Sequence, residues 1–148
     1  MPRQVFLFLA MLGIGTTAAL TGGCTIPPPT KEEMAGFNYG PKPDNYEQIV
    51  RDYLKTRLSD AAGAVLEFRA GPNLLFQQAT QLRPLAYGWG VCVLVNEKKK
   101  SGGFEDAYPM VFFIRDGKVV AVNGGNEDNL VGWRFARTDC EKLGFTVR

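Results

Sequence analysis

The sequence predicts an α+β domain: one amphipathic helix packed on a mostly antiparallel sheet of about four strands, preceded by a signal peptide and a Pro-rich tether. Three observations carry this expectation. Apolar residues recur at helical spacing from Tyr46 to Leu58. Residues from Ala86 to Val95 alternate with the two-residue period of a strand. Asp116-Gly117 stands between two apolar runs, the strongest short-range hairpin signal. A chain of 148 residues with no internal repeat suits one folded domain with a single core.

The chain opens with Arg3 as its first cation, followed by the apolar or small run VFLFLAMLGIGTTAAL from Val5 to Leu20. Leu20-Thr21-Gly22-Gly23 then leads into Cys24. A charged start, a short apolar core and small residues at a cut site read as a secretory signal peptide. This arrangement resembles the bacterial lipoprotein signal, in which the new N-terminal cysteine is acylated. The family usually has Leu three places before that cysteine. Here Thr21 holds that place, Leu20 lies one earlier, and Gly23 supplies the small residue. The resemblance implies a signal peptide over 1–23, diacylation of Cys24 with palmitate-type chains, and attachment to a membrane. Thr25 rather than Asp follows the cysteine, which by the same resemblance implies an outer-membrane lipoprotein facing the periplasm of the cell envelope. The competing readings are a secreted or periplasmic protein cut near Ala18 or Ala19, and a retained anchor. The apolar run is shorter than the roughly 20 residues that a spanning helix needs, which argues against the anchor.

Residues 24–43 form a Pro-rich tether (CTIPPPTKEEMAGFNYGPKP), extended by Pro27-Pro28-Pro29. Its aromatic part, Phe37 to Pro41, is expected to dock on the domain, which spans 44–148. The helix follows. Asp44 is placed as its cap, with Glu47 three residues on completing a capping box. Tyr46, Ile49, Val50, Tyr53, Leu54 and Leu58 form the buried stripe. Ala64 to Phe68 is a short strand, ended by Gly71-Pro72-Asn73, and Leu74 to Leu82 is ambiguous between strand and loop. On the strand from Ala86 to Val95, Tyr87, Trp89, Val91, Val93 and Val95 share one face. Gly88, Gly90, Cys92 and Leu94 share the other, the glycines leaving room for a close neighbour. Met110 to Ile114 and Val119 to Val122 make the hairpin. Its expected register sets Ile114 by Val119, Phe113 by Val120, Phe112 by Ala121 and Arg115 by Lys118. With apolar residues on both faces, the hairpin should be central or covered on both sides. Asn123 to Asn129 reads as a loop, Leu130, Trp133 and Phe135 as packing residues, and Thr138 to Leu143 as a short capped helix stopped by Gly144.

The chemistry the chain can support is narrow. It has 17 Lys and Arg against 15 Asp and Glu, and the loss of Arg3 with the leader brings the domain close to neutrality, so no nucleic-acid partner is expected. It has no histidine, which removes Ser-His-Asp and Cys-His catalysis and the usual zinc sites. No metal or cofactor is expected. With Cys24 acylated, Cys92 and Cys140 remain of the three cysteines. In an oxidising compartment that pair reads as a disulfide, and two buried free thiols are the competing reading.

Lys98-Lys99-Lys100, beside Ser101-Gly102-Gly103, reads as a solvated loop tip rather than a phosphate or lipopolysaccharide contact. Glu97, Glu105 and Asp106 lie near the same loop, where acid–base work would need two carboxylates in different environments of one cleft. Asn123, Asn126, Glu127, Asp128 and Asn129 are rich in oxygen but do not match the EF-hand spacing, and read as a polar connection. The Gly-Gly pairs at Gly102 and Gly124 lack the Lys-Ser/Thr of a phosphate-cradling loop. Tyr87, Trp89, Phe104 and Tyr108, with Trp133, are the candidate binding surface, an aromatic platform for a glycan or peptide. The competing reading puts them in the core.

The run YGWGVCVLVNEKKKSGGF and the aromatic-rich hairpin after it, with NYEQIVRDYLKTRL before, resemble small uncharacterised proteobacterial envelope lipoproteins over roughly Phe37 to Val122. The chain departs from that group at Lys99 and Phe104. The resemblance implies fold and location and brings no activity. The expected function is a membrane-anchored, non-catalytic envelope module that binds an envelope protein or cell-wall partner or supports envelope integrity. The alternative is a small cell-wall hydrolase, or an inhibitor of one, acting through Glu97 or Glu105.

Overall fold

The computed structural model describes residues 27, 29–125 and 130–148. The signal segment, Cys24 and the oxygen-rich residues 126–129 lie outside it. The elements in chain order are α1 (Lys31–Ala35), α2 (Tyr46–Lys55), β1 (Val65–Gln77), β2 (Ala86–Asn96), β3 (Tyr108–Arg115), β4 (Lys118–Gly124) and α3 (Leu130–Lys142). The four strands form one antiparallel sheet in the order β1-β2-β3-β4. Among the described residues no helix is long and apolar enough to cross a membrane.

The α+β expectation holds, with one addition: helices pack on both faces of the sheet. On one face Val50 and Leu54 of α2 meet Val91, Val93, Val95, Phe112 and Ile114. On the other, Ala136 and Cys140 of α3 meet Leu75, Cys92, Val111 and Phe113. The inward positions Ala136, Asp139 and Cys140 of α3, with Leu143 just past its end, do follow helical spacing, and all are buried. They are small or polar apart from Leu143, so the stripe carries little hydrophobic signal. For that reason a helix starting at Leu130 reads as a short one starting near Thr138, which in fact lies exposed inside α3.

Four further details differ from expectation. Gly71-Pro72-Asn73 does not end β1. The strand runs through it with two register shifts, between Phe68 and Ala70 and between Ala70 and Asn73. Gly71 has φ +99°, and a Cβ there would stand 2.2 Å from the carbonyl oxygen of Gly90. Only glycine fits that bulge, whereas a Cβ at Gly90 would meet the Leu75 side chain at 2.7 Å. In the hairpin, Ile114 faces Val119 and Arg115 faces Lys118 as expected, but a bulge at Val120 moves Phe113 onto Ala121 and Phe112 onto Val122. Asp116 and Gly117 both have positive φ, 50° and 72°, as a two-residue turn of this kind requires. Within the hairpin β3 is central and β4 is the edge strand.

The N-cap of α2 is Asn45, with no side-chain hydrogen bond, so Asp44 lies one place too early to cap it. The capping box forms instead upstream, where Thr30 and Glu33 bond reciprocally at the start of α1. Beyond α1 the aromatic segment from Phe37 packs on the domain as expected. Phe37 stacks on Tyr87, with ring centroids 4.5 Å apart, and on Phe76 at 5.6 Å. Trp89 Nε1 donates to the carbonyl of Gly40 at 3.1 Å.

Candidate functional site

The carboxylates named from the sequence do not face one another across a cleft. The segment joining β2 to β3 is a small hairpin of its own. Lys98 bridges Phe104, Lys99 N–H donates to Gly103, and Glu105 N–H donates to Glu97. Glu97 accepts the hydroxyl of Tyr108. Burial first, and then the hydrogen bond and charge of Glu97, push the Tyr108 phenol above its ordinary value. Glu105 pairs with Lys99 at 3.4 Å in solvent, and Asp106 and the Lys98–Lys100 tip are exposed. The arrangement anchors a loop to the end of β3 and offers no acid–base pair.

The four aromatics fall into two places. Tyr87 and Trp89 lie at the start of β2, while Val95 near its other end pairs with Tyr108. Seven residues of strand separate Tyr87 from that pairing position, Phe104 stands on the loop beyond, and no single platform results. Tyr87 lies under Phe37, Tyr39 and the guanidinium of Arg115. Trp89 is covered by Gly40 and Lys42. Tyr108 is buried and Phe104 is exposed. Trp133 packs at the edge of the α2-side core and carries Arg137 on its ring.

Cys92 and Cys140 are joined in a disulfide, with Cα atoms 5.3 Å apart. It ties the middle of β2 to the last turn of α3.

Beside that disulfide lies a polar cluster that sequence reasoning missed. Asp139 of α3 is fully buried. Its Oδ2 accepts from Asn123 Nδ2 at 2.6 Å and from Arg83 Nη1 at 3.2 Å, and its Oδ1 from Lys142 Nζ at 2.7 Å. Gln77 Oε1 accepts from the same Asn123 amide at 2.6 Å and from Arg83 Nη1 at 3.2 Å. Gln77 Nε2 donates to the carbonyl of Pro84 at 2.6 Å. The Arg83 guanidinium lies 4.1 Å from the centroid of the Phe135 ring. Its Nε is buried and has no partner. Two cations thus surround one buried carboxylate, leaving a surplus positive charge.

The topology explains how the cluster assembles. Gln77 ends β1 and Asn123 lies near the end of β4, so they belong to opposite edge strands and to diagonal corners of the sheet. Twist accumulated over four strands lifts diagonal corners toward the same face. On that face α3 lies between them and supplies Asp139. The sequence signal that could have found the site was Asp139 itself, an acid on the inward stripe of a helix, which demands a partner.

A cavity of ≈ 370 Å³ opens beside the cluster. Residues 120–124 of β4 form one side, Val131, Gly132 and Phe135 of α3 the other, and Leu82 and Arg83 close one end.

The chain matches no protein-family model, no curated protein and no solved structure.

Proposed function

We propose that this chain is a membrane-anchored bacterial lipoprotein whose exported domain is a non-catalytic binding module of the cell envelope. The observation that carries the location is the Cys92–Cys140 disulfide, because such bonds persist in oxidising compartments and are rare in cytosol. The leader ending at Cys24 and the resemblance to envelope lipoproteins support the same reading. The binding role is supported by apolar side chains left in solvent, Leu82, Val120 and Val131 among them, around one cavity. A wall hydrolase finds less support. Glu97 is engaged by Tyr108 and Glu105 by Lys99, whereas acid–base catalysis needs two carboxylates in distinct environments at one cleft.

Replacing the cysteine tests the anchor: Cys24→Ala should abolish fatty-acid labelling and release the protein from membranes. Equal membrane association of variant and wild type would refute the acyl anchor. For the non-catalytic reading, Glu105→Gln should leave stability within about 0.5 kcal/mol, as for exposed sites, and leave any cellular phenotype intact. A lost phenotype with an intact fold would point to the hydrolase.

A further inference from the structure

We propose that the groove between the outer edge of β4 and α3 binds the C-terminal end of an extended peptide, with its last aliphatic side chain in the cavity and its carboxylate at Arg83. This deepens the binding-module reading and stands apart from the acyl anchor, so a peptide assay can fail while fatty-acid labelling succeeds.

The backbone comes first. Residues 120–124 line the cavity consecutively. Side chains of a strand alternate between faces, so an unbroken run along one cavity places that cavity on the strand's edge, where backbone groups point outward. β4 is the last strand of the sheet, and its pairing with β3 is regular from Ala121 to Asn123. Among the described residues no other segment forms a backbone hydrogen bond with Val119 to Asn123. Such an edge is a template for one more strand.

The walls come next. Leu82, Val120 and Val131 come from three separate elements and are 72%, 43% and 48% exposed. All three line the cavity together with Phe135. At ≈ 370 Å³ the cavity is at the small end for ligand sites, with room for one aliphatic side chain and a chain end.

The charge selects which chain end. Arg83 lines the cavity, and the carboxylate it touches is already held by Lys142. The cluster therefore keeps a positive charge, which favours an anion and disfavours an ammonium group. The Arg83 side chain keeps 14% of its surface exposed, and a guanidinium fork matches a carboxylate in geometry.

The test uses the full-length chain in detergent micelles and a fluorescein-labelled peptide of alternating Val and Thr ending in Leu, as free acid and as amide, read by anisotropy. The free acid should bind saturably, and the amide about tenfold more weakly or worse, as expected for one lost charge-assisted hydrogen bond. Leu82→Asp and Val131→Asp, at exposed positions, should abolish binding. Val65→Asp, exposed on β1 away from the groove, should leave it unchanged. Arg83→Lys should erase the preference for acid over amide. If that variant fails to melt cooperatively, the acid–amide comparison and the two wall variants still decide. The proposal is overturned if the free acid shows no saturable binding, if acid and amide bind equally, if Val131→Asp binds like wild type, or if octanoate displaces the peptide as well as the unlabelled peptide does.

Discussion

Asp139 has no exposure to solvent and faces Arg83, Asn123 and Lys142, so its energetic role is set by what its removal would strand. In Asp139→Ala the guanidinium of Arg83, whose side chain is only 14% exposed, would lose its counter-charge in a low-dielectric setting. Breaking one side of a buried pair costs about 3–5 kcal/mol, and urea denaturation at neutral pH should show a loss of that order. The double change Arg83→Met with Asp139→Leu should lose less than the single one. A double variant weaker than Asp139→Ala would mean that the pair itself contributes net stability. Tyr108 gives a second, pH-dependent case. Its phenol is raised by burial and by Glu97, so the folded chain holds that proton more tightly than the unfolded one. The corresponding stability is fully present below the ordinary phenol value of about 10 and is lost as pH rises beyond it. Urea midpoints taken from about pH 8 to about pH 11 should therefore fall more steeply for wild type than for Tyr108→Phe. Parallel curves would show that the phenol is not coupled to folding.

At the scale of elements, the disulfide decides how firmly α3 is held. It closes a sequence separation of 48 residues, for which chain entropy gives about 4 kcal/mol before any strain. Reduction should lower the melting temperature sharply and expose the chain after Asn123 to protease, read by mass spectrometry of the fragments. An unchanged melt on full reduction would show that the core under Ala136 and Leu143 holds the helix unaided. The same element shows where sequence reading runs out. Strand β2, helix α2 and the Asp116-Gly117 turn were legible because each announces itself locally, by alternation, by a helical stripe or by a two-residue turn. So was the Cys92–Cys140 pair, once Cys24 was set aside for acylation and an oxidising compartment was expected. Helix α3 was only half legible, because Ala136, Asp139 and Cys140 make a buried stripe without hydrophobic contrast. The course of β1 through Gly71-Pro72 was hidden because Gly71 packs against backbone of the neighbouring strand, at the Gly90 carbonyl, a contact that no local pattern encodes. The polar cluster was least legible of all. Gln77 and Arg83 lie far in sequence from Asn123 and Asp139, and the two pairs meet only through the twist of the whole sheet.

For the molecule as a whole, the docking of residues 37–40 on the sheet would, on the proposed lipoprotein reading, set how far the domain stands from a membrane. Thr30 and Glu33 fix the start of α1, Phe37 lies against Tyr87 and Phe76, and Trp89 holds Gly40. If Cys24 carries the anchor, Cys24 to Pro29 is the span left to bridge the gap, about 20 Å at full extension. Were the whole of 24–43 released, the reach would be about 65 Å. Under that proposed anchor, docking would act as a spacer that keeps the β2 end bearing Tyr87 and Trp89 close to the lipid surface. Phe37 is the residue to remove, since its ring stacks on Tyr87 and Phe76 and none of the described core depends on it. With Trp133→Phe as background, Trp89 is the single indole, and it sits under the tether. In vesicles containing a dansyl-labelled lipid, energy transfer from Trp89 should be strong for the docked chain. Phe37→Ala should weaken it and increase proteolysis within 24–43, with the melting temperature changed little. Equal transfer in both proteins, with equal protease resistance, would mean that the aromatic contact does not hold the tether and that the domain's height above the membrane is set elsewhere.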